Sequence, residues 1–284
     1  MDIFAKPLAA LLKVIFDFVN GIGLDSEIIS AYAIALILTT IIFKLILLPL
    51  GIKQSKSMKK MQEIQPQLKE IQKKYKNDPQ TQQAKTMELY KKHNANPFSS
   101  CLPLLIQMPI LIGMFRVLRQ AFPTINESTG LIVQGYVFPL TSDTLALVND
   151  KLASVVQGVE TITPEILANL NNILAQYIPD ISSNFFWLTN LKDPDPILWG
   201  LPLLAGLTTF LQSKLMSSNR PKSGEDKSQQ TQQIMNMVFP VLIFMMSRSF
   251  PAGLALYWVV GNIFTIVQQY FTNKAVSNVK EESK

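Results

Sequence analysis

Along the chain, long apolar stretches alternate with shorter segments in which apolar residues recur at helical spacing. Residues 28–50, 98–119, 197–216, 232–249 and 250–271 are mostly apolar. A helix takes about 20 such residues to cross the hydrocarbon layer, so these five predict transmembrane helices. Residues 1–27 carry a shorter pattern, with Leu8, Leu11, Leu12, Ile15, Phe16 and Val19 on one stripe and Lys6, Lys13 and Asp17 off it. That segment is too short and too charged to span, and predicts an in-plane amphipathic helix. No small-residue cleavage site precedes the next span, so it is expected to stay. In residues 51–97, Met61, Ile64, Leu68, Ile71 and Tyr75 recur every three or four positions, which makes an a/d seam on a charged helix. Asn77-Asp78-Pro79 turns the chain into a second helix over 80–92, whose stripe is Ala84, Met87 and Tyr90. The two form a helical hairpin, bent in its first arm at Pro66. Within 120–196 two further amphipathic helices are expected. Ser142 caps one that carries Leu145, Val148, Leu152 and Val155; Thr163-Pro164 starts another that carries Leu167, Leu170, Leu174 and Tyr177. This segment reads as a structural lid.

Composition supports the spans. Charged residues are 16% of the 284 and the mean hydropathy is +0.21, whereas soluble domains carry about 25% charge. The fold class is therefore an all-α integral membrane protein. Residues 51–97 hold 11 lysines against 4 acids, which places them in the cytoplasm by the positive-inside rule. Residues 120–184 hold six acids and one base, Lys151, which suits the outer side. The loop 217–231 and the tail 272–284 then fall in the cytoplasm and the N-terminus outside, a multi-pass arrangement in a bacterial plasma membrane. One cysteine, Cys101, excludes a disulfide framework, and one histidine, His93, removes most metal and triad chemistry. No H-E-x-x-H, G-x-S-x-G or Walker A string is present, so no enzyme, no cofactor and no metal are expected.

Lys44 is the sharpest chemical feature. It lies about 10 Å inside its span at 1.5 Å per residue, and none of the five spans contains an acid. A charge at that depth costs at least about 2.5–3.5 kcal/mol unless it meets water or a partner, so a wet cavity is favoured over snorkelling to the interface. Its expected companions are Gln107, Thr208, Thr209, Gln212, Trp258, Asn262 and Gln268. Each of the neutral polar groups alone is more commonly interhelical glue, and Trp258 serves equally as a packing or interface aromatic. Methionine is concentrated in the second and fourth spans. There an apolar surface of Met108, Ile112, Phe115, Met235, Val238, Phe239, Met245 and Met246 suits many different helices, although each methionine alone is an ordinary gap filler. On the hairpin, Lys53, Lys56, Lys59, Lys60, Lys73 and Lys74 make a docking surface for acidic RNA or protein, or else a solvated loop that fixes topology.

Several strings resemble the YidC family of membrane protein insertases: Asn96-Pro97-Phe98 with Cys101 to Ile110, Phe186-Trp187-Leu188 with Leu201 to Phe210, and Phe250 to Trp258 followed by Asn262 and Gln268. The surroundings of Ile64-Gln65-Pro66 are similar too. The likeness covers most of the chain apart from 120–184, and is to the short bacterial form without a large N-terminal outer domain. It implies five core helices around a hydrophilic groove open to the cytoplasm and to lipid, closed toward the outside, with the second and fourth spans as a slide for client helices. Where the family's bacterial members usually carry an arginine, this chain has Lys44. The charge survives but the bidentate fork does not. The implied function is insertion of nascent membrane proteins into the lipid bilayer, alone or with the Sec translocon, with the ribosome as a further candidate partner and no direct DNA binding. A small-solute or ion transporter built on an intramembrane lysine is the alternative, and would show an inverted repeat, which is not found.

Overall fold

A computed structural model describes residues 2–93, 95, 102–127, 129, 131–159, 161–178, 181–217 and 227–282. Among them the chain is predominantly helical, with eleven α-helices and one two-stranded hairpin. In chain order these are α1 (Asp2–Gly21), α2 (Ala31–Ile46), α3 (Leu48–Glu63), α4 (Gln65–Lys74), α5 (Pro79–Lys92), α6 (Leu102–Arg119), β1 (Thr124–Ile125), β2 (Ile132–Val133), α7 (Ser142–Val156), α8 (Pro164–Ala175), α9 (Leu201–Ser217), α10 (Lys227–Ser247) and α11 (Ala252–Glu282). They divide into two compact units. One is Met1–Thr39 with Pro109–Asp195 and Ser249–Leu254; the other is Thr40–Met108 with Pro196–Arg248 and Ala255–Lys284. Asn96, Pro97, Phe98, Cys101 and the side chains of Lys59 and Met235 lie outside the described residues.

In the first unit, α1 spends its expected stripe on protein. Leu8, Leu12, Ile15, Phe16 and Val19 are buried, and Phe16 packs edge-to-face on Phe138 at 5.0 Å and on Tyr32 at 6.4 Å. Gly113 of α6 makes the approach possible, because a Cβ there would lie 3.2 Å from Phe4 Cβ and 3.3 Å from Leu8 Cδ1. The large apolar residues that α1 leaves exposed are Ile3, Phe4, Val14 and Phe18. The acidic region holds its own core: Ile125, Val148, Leu152, Leu170 and Leu174 are buried together, with Ile132, Leu167 and Tyr177 against them. Here β1 pairs antiparallel with β2, Ile125 opposite Ile132. Thr163 caps α8 as expected, accepting from Ile166 N–H at 3.4 Å. The cap of α7 is Thr141 instead of Ser142. An N-cap has extended backbone, which Thr141 has at φ −64°, ψ 160°, whereas Ser142 is already helical.

The first expected span, which begins in the first unit and ends in the second, is two helices. Pro49 lacks the N–H that would meet the Leu45 carbonyl, and its ring crowds that carbonyl. Accordingly α2 stops at Ile46 and α3 leaves at 60°. Among the described residues no single helix is long and apolar enough to cross a membrane; the bent pair Ala31–Ile46 and Leu48–Met58 has the length and composition together. The charged hairpin forms, with a break at Ile64 just ahead of Pro66. Its second arm is capped by Asp78, which accepts from Thr81 N–H at 3.1 Å. Ile64 is buried with Leu89 and Ala95, and Met61, Leu68, Ile71 and Tyr90 pack on them. Leu89 therefore takes the place expected of Met87, which is exposed. Gly206 brings α9 against α10, since a Cβ there would sit 3.1 Å from Phe244 Cβ and 3.4 Å from the Pro240 carbonyl. Ala205, Ile243 and Val259 are buried together beside this crossing.

Candidate functional site

The bend at Leu47 opens on a recess. A cavity of about 110 Å³ is lined by Lys44 and Leu47, by Leu50, Gly51, Gln54, Ser55 and Met58 of α3, by Ile106, by Gln212 of α9, and by Thr265, Gln268 and Gln269 of α11. That is room for several waters, and its walls offer four amides and two hydroxyls as partners for them. Lys44 is half-buried. Its Nζ lies 3.5 Å from Gln107 Oε1, at the long limit of a hydrogen bond, and Gln107 Nε2 donates to the Tyr257 hydroxyl at 2.9 Å. Among the described residues no carboxylate pairs with Lys44. Its stem crosses α11 at a glycine, since a Cβ on Gly261 would lie 3.2 Å from Lys44 Cε. A second glycine works in the same way on the other wall: a Cβ on Gly51 would meet Gln268 Nε2 at 2.4 Å.

The eight expected groove residues separate into two groups. Lys44, Gln212 and Gln268 line the cavity, and Gln107 reaches Lys44. Thr208, Thr209, Trp258 and Asn262 instead tie α9 to α11. Trp258 Nε1 donates to Thr209 Oγ1 at 2.9 Å, and Asn262 Nδ2 donates to Thr209 Oγ1 at 2.9 Å and to Thr208 Oγ1 at 3.0 Å. The two hydroxyls spend their own protons on the helix behind them, Thr209 on the Ala205 carbonyl at 2.7 Å and Thr208 on that of Leu204 at 2.7 Å. This leaves their lone pairs free to accept. Sequence reasoning missed Gln54 and Ser55, which lie in the charged segment after the first apolar stretch, and Thr265 and Gln269, which lie inside the fifth. It also missed Gly51, Gly261 and Tyr257, which have no amphipathic signature.

The apolar surface is divided as well. Met108, Ile112, Val238, Met245 and Met246 are exposed, together with Met237, Val241 and Leu242. Phe239 is packed on the Ala205 cluster with its ring 6.2 Å from that of Trp258. Phe115 stacks edge-to-face on Phe250 at 5.2 Å, and Met114 is fully buried as a gap filler. On the hairpin Lys53, Lys56, Lys60, Lys73 and Lys74 are all exposed.

A family model described as "60Kd inner membrane protein" matches residues 24–281. The chain belongs to this family. The 60Kd inner membrane protein match runs through residues 120–184, which the short motifs had not reached, and membership places the chain in a bacterial membrane. Relatives named "Membrane protein insertase YidC" include one from Clostridium perfringens, 35% identical over 275 residues, covering 95% of this chain and 92% of that protein. Another from Oceanobacillus iheyensis is 35% identical over 277 residues, covering 96% and 82%. A third from Fusobacterium nucleatum is 34% identical over 264 residues, covering 93% and 96%. These names give no support to the small-solute transporter alternative.

Proposed function

We propose that this chain is a membrane protein insertase that takes newly made membrane proteins from the cytoplasm into the bilayer through the recess around Lys44. The observation that carries the mechanism is a half-buried ammonium whose described partner is a neutral amide, beside a cavity walled by Gln54, Gln212, Gln268 and Gln269. Such a site offers water and one positive charge where lipid would offer neither, which lowers the barrier for a client's polar or acidic flank. The attached apolar segment exchanges protein for lipid along exposed Met108, Ile112, Val238, Met245 and Met246. Burial in hydrocarbon drives the step, so no nucleotide is called for.

In this reading the five spans are 28–50, as the bent pair, with 98–119, 197–216, 232–249 and 250–271. The N-terminus is outside, the C-terminus cytoplasmic, and α1 lies in the outer interface. The lysines of the hairpin meet acidic partners, the ribosome among them, and the Sec translocon is a further partner. The α7–α8 segment is a packed outer element with no part in client capture.

The test is purified protein in liposomes and a one-span client with an acidic N-terminal flank. Lys44→Met keeps the stem over Gly261 and removes the charge. Insertion of that client should fall about fivefold, equivalent to the ~1 kcal/mol of a partly solvated ion pair, while Lys44→Arg retains it and a client with a neutral flank is little affected. Equal loss for acidic and neutral flanks would exclude the electrostatic role.

A further inference from the structure

Phe186 is the one non-glycine residue with positive φ among the described residues, at 51°. It stands at the tip of a closed two-residue turn: Phe185 N–H donates to the Leu188 carbonyl at 2.8 Å and Leu188 N–H returns to that of Phe185 at 2.9 Å. Left-handed backbone in such a turn favours glycine or asparagine, and a bulky aromatic takes it at a cost. This turn carries two aromatics, and both are solvent-exposed, Phe186 at 56% and Trp187 at 42%. Strain retained to hold apolar rings outward is an observation from which a function is argued.

The rings are also held in place. Trp187 Nε1 donates to both carboxylate oxygens of Asp195 at 3.2 Å, and Asp195 is itself buried. The polar edge of the indole is thereby spent on protein, and what it presents outward is carbon. The turn is fastened at a definite height. Phe186 N–H donates to the Ile28 carbonyl at 2.7 Å, Ser30 N–H to that of Asn184 at 3.0 Å, and Asn184 Nδ2 to that of Glu27 at 2.6 Å. These bonds fix the tip level with Ile28–Ser30, immediately before α2 begins at Ala31. Ile28, also exposed, adds to the same apolar surface.

We infer that the Phe186–Trp187 turn is a lipid wedge, seated among the glycerol and upper acyl positions of outer-leaflet phospholipid, that sets the height of the outer end of the first span. This rests on the reading of α2 as membrane-spanning with its N-terminal end outside. Aromatic side chains gather at that depth because a rigid ring gains burial there at small entropic cost. A lipid occupant is favoured over a protein one because the chain lies in a membrane and the wedge is fastened to the first residues of an apolar helix.

The experiment uses full-length protein labelled with fluorotryptophan in phospholipid nanodiscs, with the Trp187 resonance assigned from Trp187→Phe. A nitroxide on the lipid headgroup or upper acyl chain should broaden that resonance away, and a water-soluble gadolinium chelate should leave it. Phe186→Gly, which relieves the backbone strain and removes one ring, should retain the thermal unfolding midpoint and weaken the lipid effect on Trp187. Broadening by gadolinium alone means a solvated turn, and response to neither agent means a protein-covered one; each overturns the wedge. Ile42→Trp, about 17 Å further along α2 at 1.5 Å per residue, reports the underlying reading with a nitroxide deep in the acyl chain. If it responds and Trp187 does not, the wedge alone fails; if it does not respond, α2 is not the span.

Discussion

Removing the Thr209 hydroxyl separates an interhelical knot from a client-binding surface. Thr209 is 4% exposed, so water cannot replace what is lost. Thr209→Val deletes the acceptor for Trp258 Nε1 and Asn262 Nδ2, both at 2.9 Å, in a side chain of the same shape. Interhelical hydrogen bonds within membranes average about 0.6 kcal/mol each, and depriving a buried polar group of its partner costs about 1–3 kcal/mol. The expected destabilisation is therefore about 1–3 kcal/mol, read as a lower midpoint of unfolding in mixed micelles with rising dodecyl sulfate. Thr209→Ser should restore most of it. Thr208→Val should cost less, about 0.6 kcal/mol, because Asn262 keeps Thr209 as acceptor. Combined with Asn262→Leu, Thr209→Val should show a coupling of about 1 kcal/mol. Below its unfolding midpoint the Thr209→Val protein should still insert clients. A variant with parental stability that fails to insert would refute the knot and return Thr209 to the client's path.

Two further outcomes follow from the same geometry. Gly261→Ala should raise helix stability by about 1 kcal/mol yet reduce insertion of acid-flanked clients, because its methyl would displace the Lys44 stem now 3.2 Å from that position; unchanged insertion in reconstituted vesicles would rule out the glycine as an aiming device. In the hairpin, hydrogen bonds from the Thr81 side chain and then its backbone N–H hold the Asp78 carboxyl below the usual carboxylate range. A depressed folded value means that its support for the start of α5 is present above the ordinary carboxylate range and is lost as pH falls through the depressed one. Hydrogen exchange should show Thr81 and Gln82 protected at neutral pH and loosening only in acid, and Asp78→Ala should make them fast at both.

Much of the helical order was legible from periodicity, and the failures have identifiable causes. The hairpin and its breaking point at Pro66 were readable because proline acts on its own backbone. Pro49 acts by the same physics on α2, but hydropathy averaged over 28–50 stays high across a 60° bend and conceals it. Met87 enters the expected stripe with Ala84 and Tyr90 from spacing within one arm; the opposing arm, with Ile64 and Leu68, selects Leu89. The stripe of α1 is legible, but what covers it is not. A 3.6-residue period says which face is apolar and nothing about whether lipid or Phe138 covers it. At the site, Lys44 was recognisable as a costly charge, while the two glycines that let it and Gln268 approach α11 and α3 carry no side chain from which to read a role.

The division of polar residues on α11 explains why amides alone were a poor guide to the recess. Tyr257, Gly261, Thr265 and Gln268 lie three or four positions apart, so they share one face of the helix. They are the residues that bond Gln107, pass the Lys44 stem and line the cavity. Trp258 and Asn262 lie one residue later, about 100° around the axis, and meet α9 through Thr208 and Thr209. Two polar stripes thus run side by side, one lining the cavity and one dry, and the second gives the first its direction. A helix whose rotation is fixed by three hydrogen bonds cannot turn Gly261 away from Lys44 without breaking them. The cost of the dry stripe is small in a membrane, where a donor left in hydrocarbon is worse off than one in a knot. Its benefit is that the Lys44 ammonium is held toward a cavity large enough for water, and among the described residues no acid pairs with it.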